Sequence, residues 1–310
     1  MFGKLINPSY PKTAIGIEQG SVTAVGLNKA GRRKFGVKQA ATVTVSENVL
    51  RPSFSETNIL NYDEMLVSLT EAISGAGLAR QKRWSASLPN NTARSTILTL
   101  DAKPNSKQEL TDVLNWKSER SFGTSVSEIR LSLQPLPPDS EGKPRYFASA
   151  VKLAVLDEYE TLFESLGWNV GLILPRQVSE SKWLIDTGIP ADSLLISSQN
   201  DGLSAILIRN NQPNVVRTIS CTKTEIDDEI FRLLMFYRDR FETENQSSLE
   251  TILPIGENLN VAKIKEIANE ALGKTLKILL PEDIGLTLPV SNLKFGDIAA
   301  PAGLASFAWS

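Results

Sequence analysis

The feature that most constrains this sequence is an order of elements that occurs twice. Residues 13–17 form a short apolar strand, Glu18-Gln19-Gly20-Ser21 has turn chemistry, and 22–27 return as a second strand. Residues 28–31 turn again, and 34–45 alternate enough for a third strand. The stretch 46–57 is polar, carries Pro52 and reads as a loop. Met65, Leu66, Leu69 and Ile73 fall at helical spacing over 62–73, Gly75 and Gly77 end that helix, and 84–88 form a strand stopped by Pro89. The order recurs with strands at 193–197, 203–209 and 215–220, turns at 199–202 and 210–213, an amphipathic helix over 225–241 and a strand at 251–255. A further helix at 261–272 and a strand at 276–280 follow. The two halves share pattern and no sequence identity.

Between them lies a block of another kind. Strand patterns at 95–100, 127–133, 145–154 and 168–174 alternate with helical patterns at 107–121 and 157–166. This βαββαβ order is ferredoxin-like.

Composition narrows the chemistry. The 310 residues contain no histidine, which excludes His-based acid–base catalysis, His metal ligation and Ser-His-Asp or Cys-His nucleophiles. Cys221 is the single cysteine, so no intrachain disulfide and no zinc cluster of cysteines forms, and the chain reads as one from a reduced compartment. Lys and Arg number 33 against 35 Asp and Glu, so no basic excess points to nucleic acid or anionic lipid. Residues 1–11 lack the pattern of a signal peptide, and the most apolar run, 298–309, is too short to cross a bilayer. Any membrane association is expected to come through a partner. The five tryptophans, 84, 116, 168, 183 and 309, read as core or interface anchors, and Cys221 as a small buried hydrophobe at a strand end. Asp227, Asp228 and Glu229 suit a helix start. Glu18, Asp201 and Asp228 form a carboxylate set only if the fold gathers them.

Two meander-plus-helix halves with a small α/β insert after the fourth strand resemble the actin-like (ribonuclease H-like) ATPases, in the branch of FtsA and the type IV pilus protein PilM. The local matches favour the PilM family. Ala14-Ile15-Gly16-Ile17-Glu18-Gln19-Gly20-Ser21, with Thr23-Ala24-Val25, resembles its opening phosphate hairpin. The strand 84–89 resembles one ending in Leu-Pro, 109–122 its first insert helix, 148–167 the following strand and helix, Glu229-Ile230 with Arg232 its long second-half helix, and 300–305 its closing helix. The resemblance implies an α/β, two-lobed fold divided into a first lobe over 1–94, a ferredoxin-like insert over 95–174, a connecting helix over 175–190, a second lobe over 191–295, and a C-terminal helix over 296–310 packing back on the first lobe.

Such a fold implies Mg-ATP between two hairpins, held by backbone N–H groups at glycines and by an Asp on each turn. Here Glu18 stands for the first Asp and the turn is shorter. The second hairpin reads Ser197-Ser198-Gln199 where Asp-x-Gly is implied, and the adenosine turn reads Ile255-Gly256-Glu257 where Gly-Gly is implied. Glu18, Gln19, Gly20, Ser21, Thr23 and Gly256 are the candidate cofactor-binding residues, with no catalytic or metal residue assigned and with ATP/Mg bound weakly or not at all. Glu18–Ser21 and 199–202 are also ordinary β-turn sequences that need no ligand.

By resemblance, the expected role is a cytoplasmic scaffold of a pilus or related secretion platform. It would be peripheral to the inner membrane and grip the cytoplasmic N-terminal segment of a bitopic PilN-like partner, in a groove between first lobe and insert, beside other pilus assembly components. The alternative is a working ATPase or sugar kinase using the interlobe cleft. An FtsA-like polymer is a third reading; it implies a membrane-targeting tail that 296–310, with no Lys or Arg beyond Lys294, does not resemble.

Overall fold

The computed structural model describes residues 9–200, 202–241, 248–289 and 293–310. The first half runs β1 (Thr13–Glu18), β2 (Ser21–Gly31), β3 (Lys34–Thr44), helix α1 (Tyr62–Gly75) and β4 (Arg83–Leu88). The middle block contributes β5 (Arg94–Thr99), α2 (Lys107–Phe122), β6 (Ile129–Leu136), β7 (Arg145–Lys152), α3 (Leu153–Ser165) and β8 (Asn169–Pro175). After helix α4 (Arg176–Thr187), the second half runs β9 (Asp192–Gln199), β10 (Gly202–Arg209), β11 (Gln212–Ser220), α5 (Ile226–Phe241), β12 (Leu249–Ile255), α6 (Val261–Leu272) and β13 (Lys277–Ile278). The short β14 (Leu286–Thr287) and helix α7 (Phe295–Ser306) close the chain.

Local chemistry sets the helix ends. Asn61 accepts from the Glu64 N–H and donates back to the Glu64 carboxylate, a reciprocal cap on α1. Ser106 caps α2 by accepting from the Glu109 N–H, the Glu109 carboxylate accepts from the Asn105 N–H, and Gly123 ends the helix at φ 71°. Asn260 accepts from two N–H groups at the start of α6, and Gly273 ends it. The two-residue turn Asn210-Asn211 has both φ values positive, the twist that suits a tight hairpin and that Asn tolerates.

Pairing reveals that the repeat is longer than its sequence pattern. The second sheet is ordered β11-β10-β9-β12-β13; the first is ordered β14-β3-β2-β1-β4-β8. Each has an antiparallel meander followed by two strands parallel to its first. Strand β8 is therefore the counterpart of β13, and α3 that of α6. The insert expected over 95–174 gives up its last helix and strand to the first lobe: β8 pairs β4 from Arg83↔Asn169 to Leu88↔Pro175, and Val155, Tyr159, Leu162 and Phe163 of α3 pack with Trp84 and Leu69. The remaining β5-β7-β6 sheet, antiparallel throughout, carries α2 and its own core of Leu98, Leu100, Leu114, Phe122 and Ile129. Order along the chain fits either assignment; only the hydrogen-bond partner decides. The second lobe expected over 191–295 likewise lends β14 to the first sheet, beside β3.

Smaller expectations also change. The turn expected at 28–31 lies inside β2, whose ladder with β3 runs on to Gly31↔Lys34 through a bulge, so the chain reverses at Arg32-Arg33 with Arg33 at φ 56°. Trp116 is 52% exposed, unlike the buried Trp84, Trp168 and Trp183, because it sits on the outer side of α2 with Arg120 over its ring. Cys221 is half-buried, one residue past β11.

Helices α4 and α7 lie between the two sheets and share one core with both. It contains Ala14, Val25 and Phe35 from the first sheet, Leu195, Ile206 and Leu253 from the second, and Trp183, Ile298 and Leu304 from the helices. The Trp183 indole donates to the Ala299 carbonyl at 2.8 Å. The helices approach so closely at Gly303 that a β-carbon there would strike the Ser179 carbonyl. Among the described residues, no helix is long and apolar enough to cross a membrane.

Candidate functional site

A cleft of about 320 Å³ opens where the two lobes meet, at the lower end of the roughly 300–1,000 Å³ typical of ligand pockets. The first lobe supplies the β1–β2 hairpin; the second supplies the end of β9, Asn200, and the turn Gly256-Glu257-Asn258 after β12. Helices α4 and α7 point their N-termini into it with Arg176, Gly296 and Asp297. Thus the fold gathers Glu18, Gln19, Gly20, Ser21 and Gly256 in one place across more than two hundred residues of chain. Thr23 is not among the lining residues: it is buried and shares a hydroxyl–hydroxyl bond of 2.9 Å with Thr42 across β2 and β3. Asp228 does not line the cleft either, and Asp201 lies outside the described residues.

The hairpin is tight. Glu18 pairs directly with Ser21, leaving a two-residue turn, and the Gly20 carbonyl accepts from the Val45 N–H at 2.9 Å. A β-carbon on Gly20 would meet only Asn200 Nδ2 at 3.6 Å, an ordinary contact, so the two hairpins face each other closely. Gly256 is different. Its φ is 121°, and a β-carbon would lie 2.5 Å from the Ser198 carbonyl oxygen, with Gly296 packed behind it. Close backbone packing accounts for glycine there without any ligand.

The electrostatic centre of the cleft is Arg176, which sequence reasoning did not single out. It is 5% exposed. Its Nη1 lies 3.0 Å from Glu18 Oε1, its Nε 2.6 Å from Glu180 Oε1, and its Nη2 donates to the Gly296 carbonyl at 2.9 Å. Burial pulls the Arg176 pKa down, but the charges of Glu18 and Glu180 and their hydrogen bonds outweigh it, so it is raised and the guanidinium stays charged. Burial raises the Glu180 pKa against the opposing pull of Arg176. Asp297 is raised too, by burial first and by the nearby Glu257 charge, with Arg176 opposing. A signal for Arg176 existed in the sequence: an arginine in the first turn of a helix opposes the macrodipole and calls for a partner, and Glu180 stands four residues on.

The lining charges balance, with Arg176, Lys223 and Lys294 against Glu18, Glu257 and Asp297. Lys294 forms an ion pair with Glu257. The buried hydroxyl of Ser198 and the Gln199 Nε2 at the end of β9 have no hydrogen-bond partner among the described residues. Hydroxyl and amide groups of Ser198, Gln199 and Asn200 line this edge. A divalent ion at the first hairpin would have to displace a buried guanidinium from Glu18, so these residues do not fit a metal ion.

A second polar seam joins the lobes behind the cleft. Asn90, in the 3₁₀ turn after β4, donates to Ser204 Oγ on β10 at 2.8 Å and accepts from the Gln177 N–H at 2.8 Å. Gln177 in turn accepts from Thr218 on β11.

The chain resembles proteins of known structure. It aligns with a structure described as a PilM–PilN type IV pilus biogenesis complex, with a TM-score of 0.77 at 15% identity over 98% of this chain and 100% of that one. The chain has the actin-like fold of PilM. Weaker likenesses, both at TM-score 0.48, are to the cytoplasmic domain of EpsL, an inner membrane component of the type II secretion system of Vibrio cholerae (11% identity, 96% of this chain and 93% of that one), and to a Bacteroides thetaiotaomicron protein with actin-like ATPase fold and unknown function (10% identity, 96% and 98%). No protein-family model and no curated protein matches the sequence.

Proposed function

We propose that this chain is a PilM-like cytoplasmic scaffold of the inner-membrane assembly platform of a type IV pilus or related secretion machine. It holds the cytoplasmic N-terminal segment of a PilN-like bitopic protein and through it stays at the membrane. The observation that carries this reading is the likeness of fold to PilM along nearly the whole chain. A scaffold that grips a peptide needs no phosphate cradle, which agrees with a charge-balanced cleft whose first hairpin carboxylate is taken by Arg176. An extended segment has an edge to add to: β6 is the outer strand of the insert sheet, on the side away from β5.

The test is calorimetric titration of the protein with a synthetic peptide of the partner's cytoplasmic segment, with Mg-ATP titrated separately. Saturable peptide binding with no heat from Mg-ATP is expected. No peptide binding at protein concentrations that detect micromolar affinity refutes the scaffold reading.

A working ATPase or kinase is the second reading, favoured by the convergence of both hairpins and Gly256 on one cleft. It requires Mg-ATP at a hundred times Kd to stabilise the fold by about 2.7 kcal/mol.

A further inference from the structure

The cation that organises the interlobe cleft belongs to the chain itself: we infer that the Arg176 guanidinium occupies the role that a divalent metal would fill between the hairpin carboxylate and the connecting helix, making the contact between the lobes independent of metal. This rests on the reading of the cleft as no longer a Mg-nucleotide site, and not on the identity of the peptide partner.

Three observations carry it. Arg176 is buried at the point where three elements meet, with one acceptor on each: Glu18 on the first-lobe hairpin, Glu180 on its own helix, and the Gly296 carbonyl at the start of α7. Gly296 packs directly against Gly256 of the second lobe, so the guanidinium links both lobes through α7. Two carboxylates face this one cationic centre, and the fully buried Glu180 needs the guanidinium as the partner of its charge. The planar fork of arginine suits three divergent acceptors in a way that a lysine ammonium at the end of a single stem does not.

Removing the guanidinium should leave a cavity flanked by Glu18 and Glu180, two oxygen-donor side chains of the kind that hard divalent ions take. Wild-type protein and Arg176→Ala are melted in EDTA and with Mg²⁺ or Mn²⁺ at about 5 mM. The wild-type Tm is expected to be the same in all three conditions. The Arg176→Ala Tm falls by about 5 °C or more in EDTA, and metal recovers a substantial part of the loss. The triple variant Glu18→Gln/Arg176→Ala/Glu180→Gln, which keeps the cavity and removes the carboxylates, gains nothing from metal. If Arg176→Ala does not fold in EDTA, Arg176→Lys serves. It keeps the charge and loses the fork, so its Tm falls in EDTA and metal does not restore it.

A rise in wild-type Tm with metal alone, an unchanged Tm for Arg176→Ala or Arg176→Lys, or an Arg176→Ala loss that metal leaves untouched would overturn the assignment. Titrating ATP in EDTA separates the two proposals. ATP binding without metal sinks the degenerate-site reading and leaves the resident cation standing, whereas a wild-type response to metal sinks the resident cation whatever the peptide does.

Discussion

Asn90→Ala should loosen the joint between the lobes by an amount the structure allows to be worked out. Asn90 is 3% exposed and makes two bonds of 2.8 Å, one to Ser204 on the second lobe and one to the N–H of Gln177. Helix α4 begins after Pro175, which offers no side-chain cap, so Asn90 caps this helix from outside it. Alanine removes both bonds and leaves a buried N–H without an acceptor. A lost hydrogen bond costs about 1 kcal/mol, an orphaned buried group about 1–3 kcal/mol, and an N-cap loss about 1 kcal/mol, terms that overlap. The expected total is about 2–4 kcal/mol. For a chain of this size that is about 3–6 °C in Tm. Urea unfolding followed by tryptophan fluorescence, with calorimetric melts beside it, reads the change. A cycle with Ser204→Ala should show coupling of about 0.5–1.5 kcal/mol, since the two substitutions remove one shared bond. A destabilisation below about 0.5 kcal/mol, the range of a surface substitution, would refute the claim that this seam holds the lobes.

Other substitutions test other contacts. Gly256→Ala sets a β-carbon against the Ser198 carbonyl at φ 121° and should cost about 1–3 kcal/mol or more, measured by urea unfolding; an unaffected midpoint would show that the turn yields freely. Trp183→Ala, which empties the shared core and drops the bond to Ala299, should cost about 3–5 kcal/mol in the same assay. Asp297→Asn tests the pH dependence. Burial raises the folded-state pKa of Asp297 above 3.8, so the folded protein holds that proton more tightly than the unfolded chain, and the stability it contributes is lost as pH rises through the folded pKa. The variant should therefore melt higher than wild type at pH 7, with the gap closing as pH falls toward about 4; a gap that widens in acid contradicts this.

Much of the fold was legible because it is local. The period of Ile226, Ile230, Leu233, Leu234, Tyr237 and Phe241 marks α5, and all six side chains are buried on one face. Asn260 and Gly273 bracket α6 at the bounds their cap chemistry implies. The turn Glu18–Ser21 was readable as a turn from its residue types, while its candidacy and that of Gly256 came from the resemblance to the PilM family's hairpin and adenosine turn. Glu18, Gln19, Gly20, Ser21 and Gly256 do come together in the cleft, and Thr23 does not, because it is buried beneath the hairpin against its cross-strand partner Thr42.

Pairing was not legible. Strand β8 has an alternation that serves equally well beside β7 or beside β4, and the choice of β4 moves α3 and β8 out of the insert and completes the internal repeat. The same holds for the cleft. Residue 176 is an arginine near a helix start in the sequence, and nothing local says that Glu18, 158 positions earlier, lies 3.0 Å from it. Helical and turn preferences act over a few residues and are written in the order of side chains. Which strand edges meet, and which buried charge finds which partner, depends on burying all of the apolar faces at once, and that balance exists only in the assembled chain.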